Sequence, residues 1–380
     1  GLIHNAFTGG ATGTLQNMRL AAAPVKPPFL WNAPQSAWIQ WSGISDNPLT
    51  RNFGETLGVF ARYDLKSANP ESGLFETTTD IKGMVKLEQL LRRLAPPKWP
   101  EQLLGKLDEG RIKDGEKLFA KHCIECHTTY PYRWSEPRKD GMRGIENALV
   151  PQRIVGTDAT QLNGVSFDPN PLIATKNLAS YFEGKQAVSN GDFTAKIVGE
   201  MLARALKQAG PFTQSEMADM NGYTPSATSA PVQSYKAGPR DGVWATGPFL
   251  HNGSVPNIYE LLSPAAERSK TFYVGRDFDP VKLGLDIAGK KEGYFFDTTR
   301  IGNSNAGHSF EATKGPGVVG PAFSESERFA LIEYLKSIPN EAARVTPYGG
   351  PKNPLIANED PLWFNKKHPY SSTPSPVSAK

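Results

Sequence analysis

Cys123-Ile124-Glu125-Cys126-His127 is the stretch on which the reading of this chain turns. Cys-x-x-Cys-His is the attachment signature of haem c. Two thiols three positions apart can each add to one vinyl group of a porphyrin. The His that follows then lies under the ring and ligates the iron. These two cysteines are all the chain has, so no disulfide scaffold competes for them. A zinc site would need further ligands at matching spacing, and there is no second Cys pair. A thioredoxin-like redox pair would follow a strand, whereas this pair follows a helical stretch.

Working outward, residues 114–122 read as a helix that runs directly into Cys123, with Asp114 as N-cap and Leu118 and Phe119 on its apolar side. A second helical stripe comprises Met84, Leu87, Leu91 and Leu94, with Leu90 beside it, and Pro96-Pro97 ends it. Residues 192–209 carry a third stripe, Ile197, Met201, Leu202, Ala205 and Leu206, closed by Gly210-Pro211. The last is 325–338, opened by a Ser324/Glu327 capping box and lined by Phe329, Ile332, Leu335 and Ile338. Between these lie long stretches without periodicity. Gly and Pro, 36 and 32 of 380 residues, are in excess there and predict turns. Trp31, Trp38 and Trp41 cluster early, as buried rings in preference to an aromatic wall at a cofactor. The net charge of +4 argues against a nucleic-acid partner. No apolar run approaches the roughly 18 residues of a membrane span. The first residues have neither the basic start nor the apolar core of a signal peptide.

The second axial iron ligand must come from a His, a Met or neither. His4, His122, His251, His308 and His368 are the other histidines. His122 adjoins the attachment site on the proximal side. His368 lies in a tail with seven prolines after Glu341, expected to run as extended chain over the surface. His251 and His308 stand out, the latter in the small-residue loop Gly302-Asn-Ser-Asn-Ala-Gly-His308.

The flanks of the motif resemble class I cytochrome c. Gly115 and Phe119 match the helix before the haem, and 325–338 with Tyr334 matches the helix that crosses it. Trp244-Ala-Thr-Gly-Pro-Phe-Leu-His-Asn-Gly-Ser-Val-Pro256 resembles a segment of bacterial di-haem cytochrome c peroxidases, and the likeness extends upstream through Tyr235-Lys236 and Arg240-Asp241-Gly242. Pro28-Phe-Leu-Trp-Asn-Ala-Pro34, Trp38-Ile-Gln-Trp41, Arg51–Phe60, Thr271–Gly275 and Phe278–Lys282 are similar to the branch that holds the latex-cleaving rubber oxygenases. The likeness spans roughly residues 20–338. In the peroxidases the His matching His251 is not an axial ligand, and a Met downstream is; here the last Met is Met220. His308 is therefore the favoured distal ligand, His251 the second choice, and an open or Met-ligated iron the third. Arg240 and Trp244 are candidates to satisfy haem propionates, or else to brace their loop.

These readings set the expectations. The fold is mostly α with long irregular loops, a class I cytochrome c-like haem domain with large insertions. Residues 1–107 form a loop-rich segment with one amphipathic helix, 108–339 the haem domain, and 340–380 a Pro-rich tail. One covalent haem c with its iron is held by Cys123, Cys126, His127 and His308, with Arg240, Trp244 and His251 around it. The resemblance implies an upstream haem domain that this sequence lacks, so Gly1 is expected not to be the true N-terminus, or the chain to be a mono-haem relative or one chain of an assembly. The function expected is electron transfer outside the cytoplasm, periplasmic or extracellular, to another cytochrome or haem domain. The alternatives are the electron-supplying part of a peroxidase- or oxygenase-type enzyme and a haem-stabilised structural subunit.

Overall fold

The computed structural model describes residues 17–18, 21–91, 94–130, 132–134, 144–165, 171–221, 233–289 and 291–338. His4, His368 and the Pro-rich tail lie outside them.

Six helices of eight or more residues organise the described residues: α1 Pro48–Val59, α2 Ile81–Leu91, α3 Glu109–His122, α4 Asn190–Ala209, α5 Gln214–Asn221 and α6 Glu325–Ser337. Among the described residues, ten short strands pair into five separate two-stranded sheets. The two that matter for the site are Ala148–Pro151 (β1) with Ser234–Ala237 (β2), antiparallel, and Ser309–Glu311 (β3) with Val318–Pro321 (β4), parallel. The expectation of a mostly α, class I cytochrome c-like domain with large insertions is therefore corrected. Helix accounts for 38% of the fold and strand for 14%. Strands of two to four residues are too short to show alternation, so a search for helical periodicity passes over them.

The packing centres on two clusters. One joins α1, α2, α4 and α5 through Phe53, Leu57, Ile81, Met84, Phe193, Ile197, Met201 and Met220, with Leu172 and Leu178 between. The other joins α3 and α6 through Phe119, Leu331, Ile332 and Leu335, and takes in Phe310 from β3 and Trp99, Phe249, Val255 and Phe323 from the connecting segments. Residues on both sides of position 107 thus share each core.

Helix α3 starts earlier than its apolar pattern suggests. Asp108, not Asp114, is the cap: its carboxylate accepts the N–H groups of Gly110 and Arg111 at 2.9 and 3.0 Å, while Asp114 pairs with Lys117 at the surface. Helix α6 opens on the expected capping box, with Ser324 and Glu327 each accepting the other's backbone N–H. The face of α2 differs from expectation. Ile81, Met84 and Glu88 are buried, and Leu87 and Leu90 are more than 60% exposed. The reason is electrostatic. Glu88 accepts from Arg51 at 3.0 Å and from Asn52 at 2.9 Å. Breaking such a buried pair costs about 3–5 kcal/mol, enough to fix the rotation of a short helix against the burial of two leucines.

Helices α3 and α6 cross backbone to backbone. A Cβ on Gly115 would lie 2.0 Å from the carbonyl oxygen of Ala330, so only Gly fits. One turn on, the rings of Phe119 and Tyr334 pack at 5.2 Å. Gly115→Ala should push the helices apart and destabilise the fold by about 1–3 kcal/mol. Chemical denaturation measures this, and an unchanged midpoint would mean that the crossing relaxes freely.

Candidate functional site

The α3–α6 crossing sets where the cysteine motif emerges. Helix α3 ends at His122, and the N–H of Cys123 closes its last turn on Phe119 O at 2.9 Å. The chain then turns tightly, with the N–H groups of Cys126 and His127 both donating to Cys123 O at 3.2 and 2.9 Å. This turn delivers Cys123, Cys126 and His127 to the wall of a single cavity. Both thiols are free. Burial pushes Cys123 up to about 12, and Cys126 adds to the effect; burial and then Glu125 raise Cys126 as well. Both therefore stand as protonated thiols at neutral pH.

Strands β1 and β2, the loop before β3 and the segment 240–262 supply much of the remaining wall, with Lys26, Trp41, Leu331 and Leu335 adding to it. Val150, Val155, Phe249, Ile258, Phe310 and Leu331 make most of it apolar.

His127 and His308 face each other in this cavity, with ring centroids 6.0 Å apart. Two imidazole nitrogens bound at about 2.0–2.1 Å on opposite sides of one metal place their ring centroids roughly 6 Å apart. The pair therefore has the spacing of axial ligands to one ion. The ring chemistry agrees. Burial, the charge of Arg240 and the nearby His308 hold His127 well below its usual pKa, so it is a neutral imidazole. Its Nδ1 lies 3.0 Å from Gly238 O. A carbonyl only accepts, so Nδ1 carries the proton and donates, leaving the Nε2 lone pair free for a metal. Burial, then Arg268, lowers His308 to about 4, so it too is neutral. Its buried Nδ1 has no hydrogen-bond partner among the described residues.

His251 also lines the cavity, but its ring is engaged elsewhere. It stacks on Tyr235 with centroids 4.1 Å apart, and its Nε2 is 3.0 Å from the Tyr235 hydroxyl. That hydroxyl donates its only proton to Asp158 O at 2.5 Å. Nε2 of His251 must then carry a proton and donate it to the phenol oxygen, so that nitrogen has no lone pair for a metal. Burial lowers His251 to about 4.

Arg240 lines the cavity and donates through Nε to Gly238 O at 3.0 Å. Trp244 does not line it: its indole N–H donates to Pro97 O at 2.9 Å, and its ring packs edge-on against Trp99 at 5.4 Å. Of the early tryptophans, Trp41 lines the cavity, and Trp31 donates to Asp241 O at 2.8 Å.

Two cavity residues escape a reading of the sequence. Lys26 donates to Thr246 O and to Pro248 O, the latter at 2.7 Å. Lys236 donates to Trp38 O at 3.2 Å. With Arg240 they put three cations on one apolar cavity, and among the described residues none of the three forms a salt bridge with a carboxylate. Burial, then Arg240, lowers Lys26 to about 7. Burial, then Arg51 and Arg240, lowers Lys236 to about 7. Arg240 has the Asp241 carboxyl near enough to favour its charge, but Lys26 and Lys236 have no such partner. An unpaired buried ion costs several kcal/mol, so the two lysines call for an anionic occupant. A group with an apolar body, two carboxylates and a central metal between two imidazoles fits this wall. Haem c is such a group.

Residues 234–273 match the family model described as RoxA-like, cytochrome c-like. The match covers Tyr235, Lys236, Arg240 and His251, and it implies a c-type haem with its iron as cofactor. It supports a RoxA-like, di-haem cytochrome c-like family. The chain is also similar to two uncharacterized proteins of Sinorhizobium fredii (strain NBRC 101917 / NGR234). It is 36% identical to y4iJ over 85% of this chain and 56% of that protein. It is 25% identical to y4iM over 82% of this chain and 63% of that protein. The chain therefore spans less than two thirds of the length of each.

The lysines make the site sensitive to pH. With no anion in the cavity, the folded ammonium groups lose their protons near pH 7, while unfolded ones keep them to about 10.5. The unfolded state then binds more protons, so stability should rise between those limits. Below pH 7 both states are protonated and the penalty is constant. Denaturation of the haem-free chain at pH 7 and pH 9 checks this, and replacing both lysines by Met should flatten the slope.

Proposed function

We propose that this is an extracytoplasmic c-type haem protein that passes electrons through one covalently held haem ligated by His127 and His308. The observation that carries the reading is the pair of neutral imidazoles, 6.0 Å apart, beside the two thiols. When bound, a c-type haem supplies a one-electron iron couple. This chain's residues do the rest. Cys123 and Cys126, both free thiols, would hold the haem through one thioether each, their S–H groups adding across its vinyl groups. Gly238 O fixes the tautomer of His127, keeping Nε2 for the metal. His308 would supply the second imidazole, and an iron held by both rings would suit electron transfer better than oxygen or peroxide chemistry. Two imidazoles also set a lower potential than imidazole with thioether. Lys26, Lys236 and Arg240 balance the two propionates, while the apolar wall keeps water away. In bacteria this attachment takes place outside the cytoplasmic membrane, which supports a periplasmic or extracellular location. Among the described residues no helix is long and apolar enough to cross a membrane.

The RoxA-like match favours a second reading. In it the chain is the electron-supplying part of a peroxidase- or oxygenase-type di-haem protein, whose redox partner is another haem domain. The two readings share every residue named above. They part on whether a second haem with an open position is present.

The test is optical. The wild-type protein with its haem attached should show a low-spin spectrum that peroxide and cyanide leave unchanged. His308→Ala should keep the covalent haem and turn high-spin, whereas His251→Ala should stay low-spin. A low-spin His308→Ala protein would sink the ligand assignment. An intact mass showing two haems, one of them reactive, would favour the second reading.

A further inference from the structure

The approach of the two imidazoles, 6.0 Å apart with their planes tilted by 52°, poses a problem of its own. His308 sits in an irregular loop and adopts φ 42°, a left-handed conformation that non-glycine residues rarely take. Something must hold it there. Its N–H donates to Val155 O at 2.7 Å, and its carbonyl accepts from Arg268 Nη2 at 2.9 Å.

Arg268 is 2% exposed, the largest of the fully buried side chains. A guanidinium has five N–H donors, and here all five end on backbone carbonyls. Nε donates to Glu260 O at 3.1 Å and Nη2 to Leu261 O at 3.1 Å. Nη1 donates to Asn305 O at 2.6 Å and Gly307 O at 2.9 Å, and the fifth bond is the one to His308 O. The cation thus rivets the loop 305–308 to the helical turn Ile258–Leu261, with no donor left for a ligand. From the other side the loop is pressed against the chain at Gly156. A Cβ on Gly307 would lie 2.2 Å from the carbonyl carbon of Gly156.

We propose that Arg268 is the positioning residue that holds His308 opposite His127. The proposal rests on the reading that His308 ligates the haem iron. All five donors of Arg268 go to backbone carbonyls and none to an imidazole ring; it holds His308 through the backbone of residues 305, 307 and 308. Three carbonyls of the loop and two of the helical turn are tied to one planar group, an arrangement that a Lys, with three donors on a flexible stem, cannot reproduce.

The test uses the full chain with its haem attached, comparing wild type, His308→Ala, Arg268→Met and Arg268→Lys. Far-UV circular dichroism and haem content report folding and loading for each. His308→Ala is expected to be high-spin. Arg268→Met is expected to lose most of the low-spin signature, and Arg268→Lys part of it. Added imidazole should restore the low-spin spectrum in all three. Hydrogen exchange at residues 304–308 should speed up in both Arg268 variants. A low-spin His308→Ala protein would refute the ligand reading, whatever Arg268 does. A high-spin His308→Ala protein beside low-spin Arg268 variants, less stable but with unchanged spectra, would overturn the positioning role and leave the ligand reading standing. Should Arg268→Met fail to fold, Arg268→Lys decides, since a wild-type spectrum there also overturns the proposal.

Discussion

Helix α3 touches helix α6 main chain to main chain at Gly115, and the geometry of the cavity depends on that contact. A side chain at position 115 would meet the carbonyl of Ala330 at once. The close approach lets Phe119 pack on Tyr334 and puts the end of α3 over the apolar face of α6. Because the cysteine turn is hydrogen-bonded to that last turn of helix, its position is inherited from the crossing. Leu331 and Leu335 of α6 then line the same cavity as Cys123 and Cys126. A shift of α3 would carry the two thiols and His127 along as one unit.

The opposite wall is built by different means. No long helix carries His308. Its loop is held by side chains that take the place of regular secondary structure. Asn252 donates to Gly302 O and Ser304 O, both at 3.0 Å. Ser254 donates to Ser304 O at 3.0 Å, and Arg268 takes the carbonyls further on. Backbone groups buried without partners would cost free energy. The loop meets that demand with polar side chains from other parts of the chain, so a segment without periodicity can still be rigid.

How far the site is legible in sequence follows from distance along the chain. Cys123, Cys126 and His127 are legible because their chemistry depends on local spacing. Helix α6 is legible because Ser324 and Glu327 are three residues apart and cap one another. Lys26 and Lys236 are not. They are unremarkable lysines until the fold sets them beside Arg240 in one cavity. The buried side of α2 is illegible for the same reason. Glu88 finds Arg51 and Asn52 on another helix, and the apolar pattern of α2 alone points to the wrong face. The fold class misleads because paired strands as short as Leu172–Ile173 with Ala187–Val188 leave no alternation to read.

The excess of Gly and Pro looks different in this light. An expectation of turns treats them as the absence of structure. At the site, several are contact points where two backbones meet. Gly156 and Gly307 leave no room for a Cβ, one on Gly317 would lie only 3.0 Å from Gly307 Cα, and all three have positive φ. There the segment after β1, the His308 loop and the turn before β4 converge. Such a junction replaces the layer of side chains that would normally separate packed elements. It brings the His308 loop close enough to the Cys123–His127 turn for two rings to stand 6.0 Å apart. Composition therefore bears on function here through thickness. Side chains at these three positions would widen the cavity, and the imidazoles would no longer be within reach of a single metal ion.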